Sequence, residues 1–369
     1  MLAGGPHTYQ LSPESNVGGE VYERELLRRL PGHGVKLRLG LPRDHHVAHL
    51  PPGWEVDVLA HRRGLHWTRS PLVFTPYVLS LLRRGRVDLL RGHSVRHTGP
   101  PLLLGRALAH SHVPVVLHHH HLDPRWAHLD AGILRRADAV ITVSEHSRTE
   151  LVAVGVLPTR IHMVREGVER PPLSTGAADM WPGGLRLLYL GRLETRKRPE
   201  VTLDALAQIL GRVDASLVVA GEGPMESELI ARAEALNGRV RFAGRVSNAV
   251  KWCLYDSADV LLFPSRLEGF GLVVAEAQSR GVPAVAAAGT ATAEALDPGR
   301  TGFVVDGSAN GFADAIMALS DPARRAEMSE CAARFAERFD WDRCAAEVAG
   351  VYRSLVDGQG FRDPPAQSR

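Results

Sequence analysis

The sequence predicts an α/β protein of two doubly wound units, each a parallel sheet covered by helices on both faces. Three observations lead there. The chain has 369 residues, 44% hydrophobic and 23% charged, which is ordinary globular material long enough for two separate cores. Short apolar runs alternate with amphipathic helical stretches along its whole length. That rhythm stops once, between Gly167 and Gly184, where Pro171, Pro172 and Pro182 fall among glycines, and then restarts. Two Rossmann-like units joined by a linker satisfy all three.

In the first half, strands are expected at Val35 to Leu41, Val56 to Ala60, Val87 to Leu90, Pro114 to His118, Ala139 to Ser144 and Ile161 to Val164. Helices between them include Val21 to Leu30, Leu72 to Arg84 and Ser147 to Val154. The start is irregular. A doubly wound unit opens with a buried strand, yet Met1 to Ala3 runs straight into Gly4, Gly5 and Pro6 and leaves no room for one. The expectation is either a truncated first strand, with the true start codon upstream, or an edge rebuilt in another way. In the second half, strands are expected at Leu185 to Leu190, Ser216 to Ala220, Val240 to Ala243, Val260 to Phe263, Pro283 to Ala287 and Phe303 to Val305. Helices from Ala323 to Arg338 and Asp342 to Val356 close the chain. The expected division is an N-terminal domain over 1–172, a linker over 173–184 and a second domain over 185–340. A helix over 341–356 would return to the first domain, and the polar tail 357–369 would be disordered.

Composition excludes several classes. No apolar run is long enough to span a bilayer, and the N-terminus lacks the basic and apolar regions of a signal peptide, so a cytosolic protein is expected. Cys253, Cys331 and Cys344 lie on helical patterns without metal-ligand spacing and read as reduced, buried thiols. The net charge of +3 hides an asymmetry, because residues 1–175 hold 22 Arg plus Lys against 15 Asp plus Glu and also all 18 histidines. Such a basic surface suits an anionic partner, either a phosphate-bearing acceptor or acidic lipid headgroups at the inner face of a membrane; a compositional bias toward Arg and His is the bland alternative. The tract His118 to His121 continues the apolar run Val113 to Leu117, so it reads as a strand end rather than a metal site.

The densest chemical signal is the segment around Glu268 and Glu276, two carboxylates flanking a Gly-Phe-Gly turn after the apolar strand Asp259 to Pro264. A helix beginning at Gly269 or Phe270 would offer unpaired N–H groups and partial positive charge to a phosphate or an oxygen-rich ligand. Glu268, before that helix, and Glu276, about two turns into it, would then serve different hydroxyl pairs of one elongated ligand. Arg192 and Lys197, in GRLETRK, follow the strand Leu185 to Leu190 and would project where open α/β sheets bind ligands. Two fixed cations there could neutralise a diphosphate in place of a divalent metal. Asp340-Trp341-Asp342 is formally an Asp-x-Asp metal motif, but a helix begins there and an N-cap is the plainer reading.

GRLETRKRPEVTLDAL, VVAGEGPMESEL, VRFAGRVSN, DVLLFPSRLEGFGLVVAEAQSRGVPAV and GRTGFVVD occur in the order and spacing of retaining glycosyltransferases of the GT-B fold, family four, also called glycosyl transferases group 1. The first half resembles the same family through GGEVYERELLRRL, VDLLRGHS, VPVVLHHHHLDP, ADAVITVSEHSRTEL and RIHMVREGVE. The resemblance implies two Rossmann-like domains facing each other across a cleft, the first binding acceptor and the second a nucleotide-sugar donor. It also implies roles for particular residues. Arg192 and Lys197 look like the pair that grips the donor diphosphate, Glu276 the acceptor of ribose hydroxyl bonds, and Glu268 the carboxylate facing the transferred sugar. Phe270, Gly271 and Leu272 would present backbone amides, and the backbone around Arg245 and Val246 would read the nucleobase. Gly18 and Gly19 resemble the glycine-rich loop near donor phosphate and acceptor, and His120 the strand-end histidine beside the reacting sugar.

Three departures qualify that carry-over. Glu20 follows Gly19 directly where the family usually has a small residue, the register within the four histidines is ambiguous by one or two, and Glu166-Gly167-Val168 replaces Asn-Gly-Val.

The implied activity is transfer of a hexosyl unit from a nucleoside diphosphate sugar to an acceptor hydroxyl, with retention and without a metal or other cofactor. A UDP-sugar is slightly preferred over GDP-mannose as donor. The acceptor is open between a small polar molecule and a lipid-linked or phosphorylated glycan, because its surface belongs to the loops Gly4 to Val17 and Arg43 to Trp54. No nucleic-acid partner is implied. A sugar-nucleotide epimerase of the same architecture, or a nucleotide-sugar-binding accessory subunit without turnover, are the alternatives.

Overall fold

The computed structural model describes residues 1–7, 18–44, 53–62, 65–174 and 176–358. The described chain forms two compact units, one of Met1–Arg165 with the segment from Trp341 onward, the other of Glu166–Asp340. Among the described residues, no helix is long and apolar enough to cross a membrane.

The first unit is a seven-stranded parallel sheet of β1 (Leu2–Pro6), β2 (Lys36–Pro42), β3 (Trp54–Leu59), β4 (Leu89–His93), β5 (Val115–His119), β6 (Ala139–Thr142) and β7 (Ile161–Met163), ordered β3-β2-β1-β4-β5-β6-β7. Its helices are α1 (Gly18–Arg29), α2 (Ser70–Arg83), α3 (Val95–Leu108), α4 (Ala127–Leu134) and α5 (Glu145–Ala153). The apolar runs predicted as strands lie within a few residues of β2 to β7, and the central ones are apolar because both sheet faces are covered there, while the edge strand β3 is partly exposed. Leu90, Val115, Leu117 and Val140 all belong to the buried core.

The expectation that no opening strand fits is wrong, and the reason is steric. β1 lies at the centre of the sheet and pairs with β2 and β4. A Cβ on Gly5 would stand 2.2 Å from the backbone oxygen of Arg91, and one on Gly4 2.5 Å from Val87 Cγ1. The two glycines that look like a broken strand are what lets the neighbouring chain approach so closely.

The second unit contains β8 (Leu185–Leu190), β9 (Ala215–Ala220), β10 (Val240–Gly244), β11 (Val260–Phe263), β12 (Ala284–Ala287) and β13 (Gly302–Val305), ordered β10-β9-β8-β11-β12-β13 and all parallel. Between and after them come α6 (Glu200–Ile209), α7 (Glu226–Ala233), α8 (Asn248–Ser257), α9 (Leu272–Ser279), α10 (Ala309–Leu319) and α11 (Pro322–Ala336). The core of this unit gathers Leu187, Leu217, Val260, Val285, Phe312 and Ile316, among others. The Pro/Gly-rich stretch before β8 is docked on this unit. Val168 N–H donates to Phe339 O (3.2 Å), Arg170 Nη2 to Ala336 O (2.6 Å) and the buried Trp181 Nε1 to Leu187 O (2.8 Å).

The last helix, α12 (Trp341–Val356), packs with the first unit. Its Tyr352 is fully buried there, its Asp342 carboxylate lies 3.4 Å from Arg29 Nε, and Arg353 Nη1 donates to His33 O at 2.8 Å. Tail residues 359–369 lie outside the described residues, as do most of the two predicted acceptor loops, at 8–17 and 45–52.

Candidate active site

Strand order reverses in the second unit between β8 and β11, and ligands of open parallel sheets bind at the carboxyl ends of such a pair. The predicted residues converge there. Gly191 to Lys197 leave the end of β8, and Ser265 to Gly271 leave the end of β11. The loops are stitched together by Arg266 N–H donating to Arg196 O (2.9 Å) and Arg196 Nη1 to Leu267 O (3.3 Å). Across this join, Lys197 Nζ donates to Glu268 Oε1, with both side chains largely buried. The ammonium also sits 5.4 Å from the ring centre of Phe263 at the end of β11.

Arg192 is placed differently. Its side chain is mostly exposed, and its Nε lies 3.3 Å from Glu194 Oε2, a carboxylate it shares with Arg196 at 2.7 Å. Its backbone is fixed, because the buried Tyr189 hydroxyl donates to Arg192 O at 2.9 Å. Lys197 is thus held at the switch point, while Arg192 is anchored by its backbone and presents its guanidinium to solvent.

The helix after β11 begins later than the sequence suggests. α9 starts at Leu272, and Gly271 precedes it with φ +95°, a left-handed conformation that favours glycine. Phe270 turns inward, 3% exposed and edge-on to Phe339 at 5.2 Å, so it anchors the turn rather than opening the helix. Val274 and Ala275 N–H donate to Gly271 O at 2.8 and 3.1 Å, so the α9 amides that precede the first paired one are those of Leu272 and Val273, just beyond Glu268 in the chain.

Glu276 is on the buried face of α9. Lys251 Nζ donates to its Oε1 at 2.5 Å and the Tyr255 hydroxyl to its Oε2 at 2.9 Å. Burial, reinforced by the adjacent Glu276 carboxylate, raises the Tyr255 hydroxyl well above its ordinary pKa, so it remains a donor. Both residues come from α8, and Trp252 between them lies 5.0 Å from the Lys251 ammonium. Arg245 and Val246 occupy the loop between β10 and α8, immediately before the Ser247 cap whose side chain accepts from Val250 N–H. Arg245 is exposed and stands 3.6 Å from Glu222.

In the first unit the strand order reverses between β1 and β4. Gly18 and Gly19 form the first turn of α1 rather than a loop before it. The four-histidine tract is sorted by the strand. His118 and His119, successive residues of β5, are buried on opposite sheet faces, and His120 is the first with a partly exposed ring. His120 Nε2 is 2.8 Å from His93 Nε2 at the end of β4, so one proton lies between two imidazoles. Tyr22 of α1 packs edge-on against His120, ring centres 4.6 Å apart.

Behind this pair lies a buried polar network. The Tyr22 hydroxyl is 2.9 Å from His118 Nδ1, and His118 Nε2 is 2.7 Å from the Tyr352 hydroxyl of α12. Arg91 of β4 donates from Nη1 (3.0 Å) and Nη2 (2.6 Å) to Glu23. Burial alone would push the Glu23 carboxyl up, but Arg91, with His93 and His7, holds it well below the usual range. Burial drives His93 and His118 well below the ordinary imidazole value and His119 down to about 3.

Several of these residues were missed in the sequence, though signals existed. Lys251 and Tyr255 sit four apart on the buried stripe of α8, and Arg91 interrupts a buried central strand. A charge in such a place needs a partner. Asp340 and Asp342, the formal metal motif, flank the start of α12, and Asp342 faces Arg29.

This architecture agrees with known families. Residues 182–335 match the family described as "Glycosyl transferases group 1", and residues 17–170 match "Glycosyltransferase Family 4". The chain belongs to the group 1 glycosyltransferase family. It is 35% identical over 253 residues to D-inositol 3-phosphate glycosyltransferase 2 of Catenulispora acidiphila, a match covering 62% of this chain and 59% of that relative. It is 28% identical to D-inositol 3-phosphate glycosyltransferase 1 of the same organism, covering 96% and 92%. The fold resembles the sucrose-phosphate synthase of Thermosynechococcus elongatus, with TM-score 0.81, 20% identity, and 97% and 100% of the two chains covered. It also resembles Anabaena HepE in complex with UDP and glucose, with TM-score 0.76, 21% identity, and 96% and 100% covered.

Proposed function

We propose that this chain is a retaining glycosyltransferase that moves a hexosyl unit from a nucleoside diphosphate sugar, a UDP-sugar in first place, to an acceptor hydroxyl without a metal ion. The observation that carries the reading is the Lys197–Glu268 contact across the β8–β11 switch point, one cation and one hydroxyl acceptor side by side where such sheets bind ligands. Family membership supports it. The UDP and glucose in the HepE structure favour a UDP-sugar, and the relatives named for D-inositol 3-phosphate favour a small phosphorylated polyol as acceptor.

In this reading Lys197, Arg192 and the first amides of α9 neutralise the departing diphosphate. The bond from the anomeric carbon to the diphosphate oxygen breaks and the bond to the acceptor oxygen forms on the same face. The acceptor proton passes to a leaving phosphate oxygen. Glu268 orients sugar hydroxyls and does not attack. Glu276 takes the ribose, the loop at Arg245 and Val246 the base, the start of α1 at Gly18 and Gly19 the donor phosphate and acceptor, and His120 the reacting sugar. The three cysteines are free thiols; Cys344 is buried as expected, whereas Cys253 and Cys331 are only half-buried, with Cys253 Sγ 3.2 Å from Ser174 Oγ.

The test is incubation with UDP-, GDP- and ADP-sugars, following nucleoside diphosphate release with and without phosphorylated polyols, and reading the anomeric configuration of the product by NMR. Acceptor-dependent release with retention supports the reading. Conversion of donor without acceptor makes the chain an epimerase, and binding without either makes it an accessory subunit.

A further inference from the structure

The Glu276 carboxylate is already in use. An ionised carboxylate has about four acceptor positions, two on each oxygen. Lys251 takes one on Oε1 and Tyr255 one on Oε2, which leaves one on each oxygen. The two donors approach from one helix, α8, and the carboxylate rides on another, α9, so its rotamer is fixed from behind. Lys251 itself cannot wander, being 5% exposed and seated against Trp252. The Glu276 side chain keeps a narrow open edge, 6% of its surface. Only the Ser247 cap separates Arg245 and Val246 from α8, so the clamp ties the predicted base-reading loop to the predicted ribose acceptor.

We propose that Lys251 and Tyr255 are positioning residues that hold Glu276 with one acceptor site free on each oxygen, and so make the donor site selective for a ribose cis-diol over a 2′-deoxyribose. This rests on the reading of the chain as a nucleotide-sugar enzyme. A carboxylate built to receive two hydroxyls discriminates against a ligand that lacks one, because a buried acceptor is then left unpaired. A clamp that merely stapled α8 to α9 would change stability without changing that discrimination.

The experiment measures binding of UDP and 2′-deoxy-UDP by calorimetry, and donor KM and kcat, for the full chain and for Lys251→Met, Lys251→Arg and Tyr255→Phe. The wild type is expected to prefer UDP by roughly 10-fold or more, the size of one unpaired buried polar group. Lys251→Met should reduce that ratio to about 2-fold and raise donor KM by about 10-fold, with kcat changed far less, since the ribose lies away from the reacting bond. Lys251→Arg should recover most of the ratio and Tyr255→Phe should lose part of it. An unchanged ratio in folded Tyr255→Phe and Lys251→Met overturns the proposal. Should Lys251→Met not fold, Tyr255→Phe and Lys251→Arg decide alone. UDP binding without any ribose preference in the wild type sinks this inference only, whereas no binding of any nucleoside diphosphate sinks the broader reading too.

Discussion

Lowering the pH from 7 to 5.5 should destabilise the first unit and leave the second almost untouched. His93, His118 and His119 are completely buried in the first unit, and burial is the leading cause that holds each pKa below the ordinary 6.5. The sign follows from linkage. Once unfolded, each imidazole takes up a proton below about pH 6.5 that the native site refuses, so stability is full above that value and falls as pH drops toward the native pKa. Each group costs about 1.3 kcal/mol between pH 7 and 5.5, and three together about 4 kcal/mol, a large share of the ~5–15 kcal/mol typical of a domain. His61 and His97, less buried, act in the same direction. Asp130 and Glu150, whose pKa values burial raises, oppose the trend, because each takes up its proton in the native state before it would in the unfolded one. All 18 histidines precede residue 166, so the second unit has none. For a unit of this size, 4 kcal/mol corresponds to roughly 8–16 °C in Tm. Differential scanning calorimetry at pH 7, 6.3 and 5.5 should therefore resolve two transitions, one moving down steeply and one holding still. His119→Leu should remove about a third of the movement. Two transitions that shift together, or a first-unit shift below about 3 °C, would refute the reasoning.

Glu23→Gln should lower the stability of the first unit by about 3–5 kcal/mol, since it strands the Arg91 guanidinium where no water reaches; urea unfolding checks this. Gly5→Ala should yield no soluble protein, because a Cβ 2.2 Å from a strand carbonyl cannot be accommodated at the sheet centre, whereas Gly18→Ala, with open space around it, should express normally. Lys197→Met should reduce kcat about 10²–10³-fold with the fold intact by circular dichroism, the loss expected of one preorganised cation. Glu268→Gln retaining full turnover beside a dead Arg192→Ala would contradict the sugar-orienting role of Glu268.

Much of this protein is legible along the chain because buried parallel strands must be apolar on both faces. Leu185 to Leu190 and Val260 to Phe263 coincide with β8 and β11 to the residue. The loops that carry Arg192, Lys197 and Glu268 were equally visible, since they follow directly on the ends of β8 and β11, where ligands of such sheets bind. What the order of residues could not give was spatial: that Gly4 and Gly5 form a central strand depends on how close β4 runs, which no local propensity encodes. Gly271 shows the same limit, for its left-handed turn delays the helix past the point suggested by the apolar pattern. The partners of buried charges were likewise decided only in three dimensions. Lys251 reaches Glu276 from 25 positions away and Arg91 reaches Glu23 from 68, and the last helix returns to place Tyr352 on His118 across 234. The sequence determined where the chain had to be apolar and where its loops had to carry charge; the tertiary structure decided which charges meet, because a buried ion's partner is chosen by packing and not by neighbourhood along the chain.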